Sequence, residues 1–487
     1  MTLGYGAART RDPERARTAL LAAGLAAVPA ALGAAVVASP FWAAVAVVGG
    51  GVLGVLAVNA RLLPLFLVLT MFVESLAFGP GVRIGRVAGA LALAIVLYQL
   101  VVRGRAGLRW NGLLAAVAAY GLLVLASAYW AADGTIVVEI LLSYGLAVIY
   151  MLAFALLLRS EADTARVFAT LALGALAFGA LSLGAYATSG GGDVRASGLQ
   201  GDPNYFSVVQ VVALAPTLAL AALERRPGRR LGYYAVVATI ALSVAVSFSR
   251  TGIIILGAVV LATLVLPSRL FFQRSAHKGL YALALGVAAV AIGLVAATPV
   301  VERLQTIIEP EAATGDRGAG RLDLWRAAWH GFKEEPWLGM GAGSYQARSL
   351  ELLQTTPGVD TTRSYVREGR VVHNMYLETL TELGVVGLGL LLVMLGLTAR
   401  YLVAAYRRAR AARDGPLERA VAAVLVTFFA FLLSGFFISN QLSKPLWILL
   451  GMALAFDVIS RRRLEQVDAV DVPGPADPRP GLARFGP

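Results

Sequence analysis

Few side chains in this chain of 487 residues are equipped for chemistry. There is no cysteine, which excludes disulfides, thiolate metal sites and a cysteine nucleophile. Three histidines, His277, His330 and His373, are too few to suggest a multi-histidine metal cage. His373 stands out by its neighbours. It precedes Asn374, a good N-cap for a helix opening at Met375, so its ring would sit beside free amides and the positive end of a helix dipole. An imidazole there can move protons next to a bound anion. Arg250, in Ser249-Arg250-Thr251-Gly252, lies at the tip between two apolar runs, and Arg321 follows Gly320 at the start of a helical stretch. A guanidinium carries permanent charge in a planar fork that matches phosphate. Asp202-Pro203-Asn204-Tyr205 reads as a turn followed by a helix start. Each has an ordinary reading too: a packing histidine, an arginine reaching the headgroups or capping a helix, and turn residues.

The elements that would position these residues cross a membrane. The chain is 58% hydrophobic and 15% charged with a mean hydropathy of +0.73, against about 45–50% and 25% in soluble proteins. That composition excludes a soluble enzyme and a disordered chain. Apolar runs long enough to span a bilayer predict an all-α polytopic protein with about 12–14 transmembrane helices, among them 205 to 223, 375 to 399, 420 to 440 and 445 to 460. With the amino terminus placed in the cytoplasm, 28 of the 42 lysines and arginines fall inside. Nine of the other 14 sit in one long connection, where the positive-inside rule has little force. Both termini are thus expected in the cytoplasm and the long loop outside. The formal charge of +13 then has a topological origin, and nucleic acid is not an expected partner.

This reading divides the chain into a cytoplasmic tail (1–18), a transmembrane bundle (19–298), an extracytoplasmic loop with room for chemistry (299–372), carboxyl-terminal transmembrane helices (373–460) and a Pro-rich, disordered cytoplasmic tail (461–487). Within the loop, Arg321 to Glu335 places Leu322, Trp325, Trp329 and Phe332 at helical spacing, which predicts an amphipathic helix buried along that face on the membrane or the bundle. The glycines of GMGAGSY allow a tight turn after it, and the tryptophans Trp325, Trp329 and Trp337 suit a membrane interface.

Three segments together resemble the O-antigen ligase and O-antigen polymerase family of bacterial envelope glycosyltransferases: SFSRTG at 247 to 252, AGRLDLWRAAWHGFKEEPWLGMGAGSY at 319 to 345, and HNMYLETLTELGVVGLGLLL at 373 to 392. The likeness runs in order from about Gly198 to Leu392. It implies a GT-C-like helical membrane fold in the bacterial inner membrane. It also implies inverting, metal-independent transfer of a glycan from undecaprenyl diphosphate to an acceptor hydroxyl at the outer face, with no cofactor. The family's essential loop histidine falls on His373 and its two functional arginines on Arg250 and Arg321. Asn374, Tyr376, Asp202, Asn204 and Arg317 are the candidates to bind substrate. The expected partners are the lipid-linked donor, a glycan, lipid or protein acceptor, and membrane lipids. Transfer of this kind needs a base for the acceptor hydroxyl and positive charge for the leaving diphosphate, which the three residues can supply.

A ligase and a polymerase share these motifs, so the acceptor stays open. A polysaccharide transporter or flippase is the alternative from another class. It would place polar residues at the bilayer midplane on broken helices, whereas Glu74 and Glu139, in or near spans, form no evident relay. A scaffold would not gather a histidine and two arginines on one side.

Overall fold

The computed structural model describes residues 51, 54–56, 59–74, 84–102, 109–189, 196–295, 320–362 and 365–471. The amino-terminal tail, the span expected at 19 to 39, most of that at 41 to 60, the loop up to residue 319 and the end of the carboxyl tail lie outside them. Among the described residues every regular element is a helix. Six are long and apolar enough to cross a membrane: Gly134–Leu157, Glu161–Thr188, Pro203–Leu223, Pro227–Val246, Met375–Ala411 and Gly415–Ser434. Shorter apolar helices, among them Gly112–Ser127 and Arg250–Val265, pack with them. The protein is an all-α polytopic membrane protein, as its composition requires.

Local sequence sets where the helices begin. Asn111, Asp133, Ser160, Asp202, Ser249, Asn374 and Asp414 each accept a backbone N–H of the first turn, which satisfies donors that a helix leaves orphaned. The Pro203–Leu223 crossing, jointed at Ala213, is the bundle's axis: 94% of its apolar window is buried, against at most 67% in the other crossings. Two helices outrun their apolar cores. Met375–Ala411 extends beyond 399, and the last helix runs from Lys444 to Asp471 rather than ending at 460. Ion pairs hold that extension, Arg408 to Asp457 at 2.8 Å, Arg461 to Asp457 at 3.0 Å and Arg463 to Asp414 at 2.7 Å.

The two ends of the bundle differ in character. One gathers Arg225, Arg226, Arg229, Arg230, Arg269, Arg274, Arg407, Arg408, Arg410, Arg413 and Arg461 to Arg463 at helix ends and connections. The other, the loop end, carries residues 320–362 and 365–374, the 435–443 connection and the starts of the Pro203–Val212 and Arg250–Val265 helices.

Residues 320–372 build a second small core of Leu324, Ala327, Ala328, Met340, Tyr345, Leu352, Leu353 and Val372. The Arg321–Glu334 helix forms as expected, but its buried face differs. Asp323, Leu324, Ala327, Ala328 and Gly331 are buried, while Leu322 and Trp329 stay 41% and 50% exposed. Small residues win that face because they let the helix backbone approach the Met375–Ala411 helix, where Thr381 Oγ1 donates to the Ala328 carbonyl at 3.0 Å. Trp329 is left on the rim, while Trp325 packs at the edge of the small core.

What docks the loop to the bundle is a break in the Met375–Ala411 helix at Gly384, with φ 66° and ψ −167°. Around it the backbone exchanges partners with the Pro336–Gly341 segment. Met340 and Gly341 donate to the carbonyls of Thr381 and Glu382 at 3.1 and 2.8 Å, while Val385 and Val386 donate to those of Pro336 and Trp337 at 2.9 and 3.3 Å. The approach is so close that a Cβ on Gly384 would stand 2.2 Å from the Trp337 carbonyl oxygen, and one on Gly339 2.4 Å from the Glu382 carbonyl carbon. Gly384→Ala should therefore cost more than the roughly 1–3 kcal/mol of left-handed strain alone. Gly389→Ala, on the same helix with open space around it, should be neutral or stabilising. Thermal unfolding of the two detergent-solubilised variants checks this, and equal midpoints would refute the docking role of the break.

Candidate active site

His373 sits at the loop end in a left-handed conformation, φ 56°, which is uncommon outside glycine and costs of order 1–3 kcal/mol unless its surroundings hold it. They do so through Glu378, one helical turn on from Asn374. Its carboxylate accepts the Val372 N–H at 3.1 Å, the Ser439 hydroxyl, and the Gln441 amide at 2.7 Å. Ser439 Oγ in turn accepts the His373 N–H at 3.1 Å. The turn that carries the imidazole is thereby latched to the 435–443 connection. Asn374 caps the helix behind it, accepting from Tyr376 and Leu377 at 3.1 and 3.0 Å.

The charged neighbours of His373 come from three other stretches. Its pKa is pushed down to about 4, first by burial, then by the positive charges of Arg321 and Arg370, with Asp202 opposing. The imidazole is therefore held neutral. Arg321 opens its helix after Gly320, whose left-handed turn packs on the Tyr365 ring, and Tyr365 donates to the buried Asp323. Arg370 is placed by its N–H, which donates to Ser349 Oγ at 3.1 Å.

Asp202 caps the Pro203–Val212 helix by accepting from Asn204 and Tyr205 at 2.6 and 3.0 Å. Asn204 Oδ1 accepts the Ser249 hydroxyl at 2.8 Å, which ties that helix start to the Arg250–Val265 helix beginning one residue later. The turn of Asp202, the opening of Arg250, Arg321 and His373 are thus assembled at one end of the bundle. Tyr376 is turned elsewhere: its hydroxyl donates to the Leu432 carbonyl at 2.8 Å and its ring packs on Phe436. Arg317 lies outside the described residues.

Beside this cluster opens a cavity of about 760 Å³ lined by Asp202, Val371, Glu378, Glu382, Ser439 and Gln441 and reaching to Glu74, Arg86, Gln200 and Lys444. His373, Arg250 and Arg321 do not line it themselves; Val371, two residues before His373, does. Among the described residues no group of three or more histidine, aspartate or glutamate side chains is arranged to hold a metal ion.

Sequence reasoning missed Arg370, Glu378, Ser439 and Gln441. One signal was available for Glu378, because a carboxylate inside an apolar crossing needs partners. Nothing local marks Ser439 and Gln441, which reach the site through the helix pair 415–434 and 444–471.

The low pKa has a measurable consequence. A histidine whose folded pKa lies below its unfolded value of about 6.5 contributes stability that is complete above 6.5 and lost as pH falls through about 4. Histidine NMR should find His373 neutral at pH 5. Arg370→Met, which removes one repelling cation, should move its titration upward. A downward or absent shift would contradict the placement of Arg370.

Comparison with known proteins agrees with the motifs. Residues 235–392 match the family model described as O-antigen ligase. No curated protein matches the chain. The matched stretch contains Arg250, Arg321, His373 and the broken helix around Gly384. Residues 235–392 are thus similar to the O-antigen ligase family, in agreement with the motifs that resemble it.

Proposed function

We propose that the protein transfers a glycan from undecaprenyl diphosphate to an acceptor hydroxyl at the outer face of the bacterial inner membrane, with His373 as general base and no metal ion. The observation that carries this reading is His373 latched in a left-handed turn at the loop end, where burial and the charges of Arg321 and Arg370 hold its pKa down, inside the matched region. The acceptor hydroxyl gives its proton to the imidazole as its oxygen attacks the anomeric carbon. The bond from that carbon to the diphosphate oxygen breaks on the opposite side, so the configuration inverts, and undecaprenyl diphosphate leaves. Arg250 and Arg321, joined by Arg370, supply the positive charge that the departing diphosphate requires. Asp202 and Asn204 line up the helix starts that hold Arg250, and Asn374 caps the one behind His373.

The outward side of the site is supported by the arginine-rich character of the opposite end of the bundle, which suits a cytoplasmic face. Reporters inserted after residues 228 and 412 should be active in their cytoplasmic form, and one after residue 345 in its external form. A cytoplasmic reporter working at 345 would overturn the topology.

Transfer is tested with purified protein and a defined undecaprenyl diphosphate glycan. His373→Ala should lose about 10²–10⁴-fold in turnover while still binding donor. Arg250→Ala or Arg321→Ala should abolish transfer in folded protein, with lysine a poor substitute, and a chelator should leave the rate unchanged. The acid limb of kcat/KM should fall at about pH 4, the value for the free enzyme. That of kcat should lie higher, because a bound diphosphate cancels the arginine charges and releases His373 toward 6.5. Near-normal turnover by His373→Ala would remove it as the base.

A further inference from the structure

The Gly112–Ser127 and Gly134–Leu157 helices form a hairpin joined at the loop end by the 128–133 connection. That connection is tied to the loop, with the Trp130 indole donating to the Gly339 carbonyl at 3.1 Å and the Ala132 N–H to Ser344 Oγ at 3.0 Å. Midway along, Tyr144 pins the two helices together. Its hydroxyl donates to the Val117 carbonyl at 2.5 Å, and its ring leaves no room at Gly121, where a Cβ would stand 2.7 Å from it. From the level of this pin toward the opposite end of the bundle, a groove of about 900 Å³ separates the helices. Leu114, Ala118 and Leu122 line it on one side, Val148 and Leu152 on the other. Arg109 and Trp110, both exposed, line its end where the first helix begins.

The dimensions and chemistry of the groove select a lipid. From Trp110 to Leu122 a helix rises about 18 Å at about 1.5 Å per residue, close to the roughly 15 Å of hydrocarbon in half a bilayer. Its walls do not suit ordered water, which needs about two to four polar partners. The one hydroxyl among the lining residues, that of Tyr144, is already spent on Val117. An acyl chain matches both the depth and the walls. At the end of the groove the chemistry changes within one turn. Trp110, 74% exposed, is the kind of amphipathic ring that sits among headgroups. Arg109 beside it presents a guanidinium fork that fits a phosphodiester. Arg400 adds a second exposed cation at this height, one turn beyond Leu397, which lies 3.5 Å from the place a Cβ on Gly112 would take. No carboxylate lines the groove to offset them. Cations beside an apolar cleft between membrane helices favour a headgroup with net negative charge.

We propose that this groove binds one acidic phospholipid of the leaflet remote from the candidate active site, with an acyl chain between the two helices and the phosphate at Arg109. The inference goes beyond the transfer reading and stands without it, since neither His373 nor the cavity beside it takes part. It has a mechanical consequence, because the same hairpin holds Ser127, Trp130 and Ala132 against the loop. A chain seated between the helices braces them at the end where no connecting segment joins them. The lipid thereby steadies the joint at Gly384 from the far side of the membrane.

The test uses the full-length protein, delipidated in detergent and titrated with phosphatidylglycerol or with phosphatidylcholine of the same chains, the bound lipids being counted by native mass spectrometry. The wild type should hold one phosphatidylglycerol about fivefold or more tightly than phosphatidylcholine, roughly the factor that one arginine contributes near charged headgroups. Arg109→Gln should lose that preference. Ala118→Trp, which fills an exposed position of the groove, should lose the bound lipid whatever its headgroup. Phosphatidylglycerol should raise the thermal midpoint of the wild type and of neither variant, and Arg109→Gln, a surface change, decides the matter if the tryptophan variant unfolds. A photocrosslinking amino acid in place of Ala118 then identifies the occupant in cell membranes. A mass increase of one phospholipid supports the proposal, whereas a crosslink to the amino-terminal residues of the same chain, or to a second copy, puts protein in the groove and overturns it. Equal retention of the two lipids by the wild type would reduce the groove to ordinary annular lipid. A preference for phosphatidylglycerol that survives both Arg109→Gln and Ala118→Trp would place the acidic lipid elsewhere on the arginine-rich end, and either result overturns the proposal.

Discussion

A backbone amide or carbonyl without a partner is expensive at the edge of a bilayer, and that constraint organises the loop end of this protein. Opening the Met375–Ala411 helix at Gly384 strands the carbonyls of Thr381 and Glu382 and the amides of Val385 and Val386. The Pro336–Gly341 segment supplies all four complements. The break is therefore a docking joint, fixing the loop in height and rotation against the bundle. Trp130, whose indole donates to the Gly339 carbonyl at 3.1 Å, and Ser127, whose hydroxyl accepts from Ala342 at 3.1 Å, extend the joint to the helix 112–127.

Everything chemical hangs from that joint. The turn of the helix above the break carries Glu378, which latches His373, and the helix packed across it carries Arg321. A loop tethered only by side chains would leave the imidazole and the guanidinium free to drift by an ångström or more. A backbone exchange does not, and near-attack geometry rewards such rigidity. The same carboxylate that fixes His373 also holds Gln441 at the cavity, so base and cavity wall are set by one group.

The legible parts of the sequence were those governed by local or compositional physics. An apolar chain must be a helical membrane bundle, Asn374 caps the helix its position predicts, a helix starts after the Asp202 turn, and HNxYLE with ELGxxGL pointed to the family that residues 235–392 match. Non-local pairing was not legible. Helical spacing pointed to the face of Leu322, Trp325, Trp329 and Phe332, because hydrophobicity counts ring area and ignores how closely two backbones must approach. Glu74 looked like an isolated charge, since its partners Tyr205 and Lys444 lie far along the chain. GMGAGSY reads as a tight turn and ELGxxGL as part of an apolar span, although Gly339 and Gly384 are two halves of one contact.

A structure of the full-length protein in nanodiscs with the lipid-linked donor bound to the His373→Ala variant tests the central claim most directly. The account predicts the diphosphate within hydrogen-bonding distance of Arg250 and Arg321 at the loop end, with the anomeric carbon facing the vacated imidazole position and the mouth of the cavity. A diphosphate bound at the arginine-rich end, or one that leaves both arginines untouched, would contradict it.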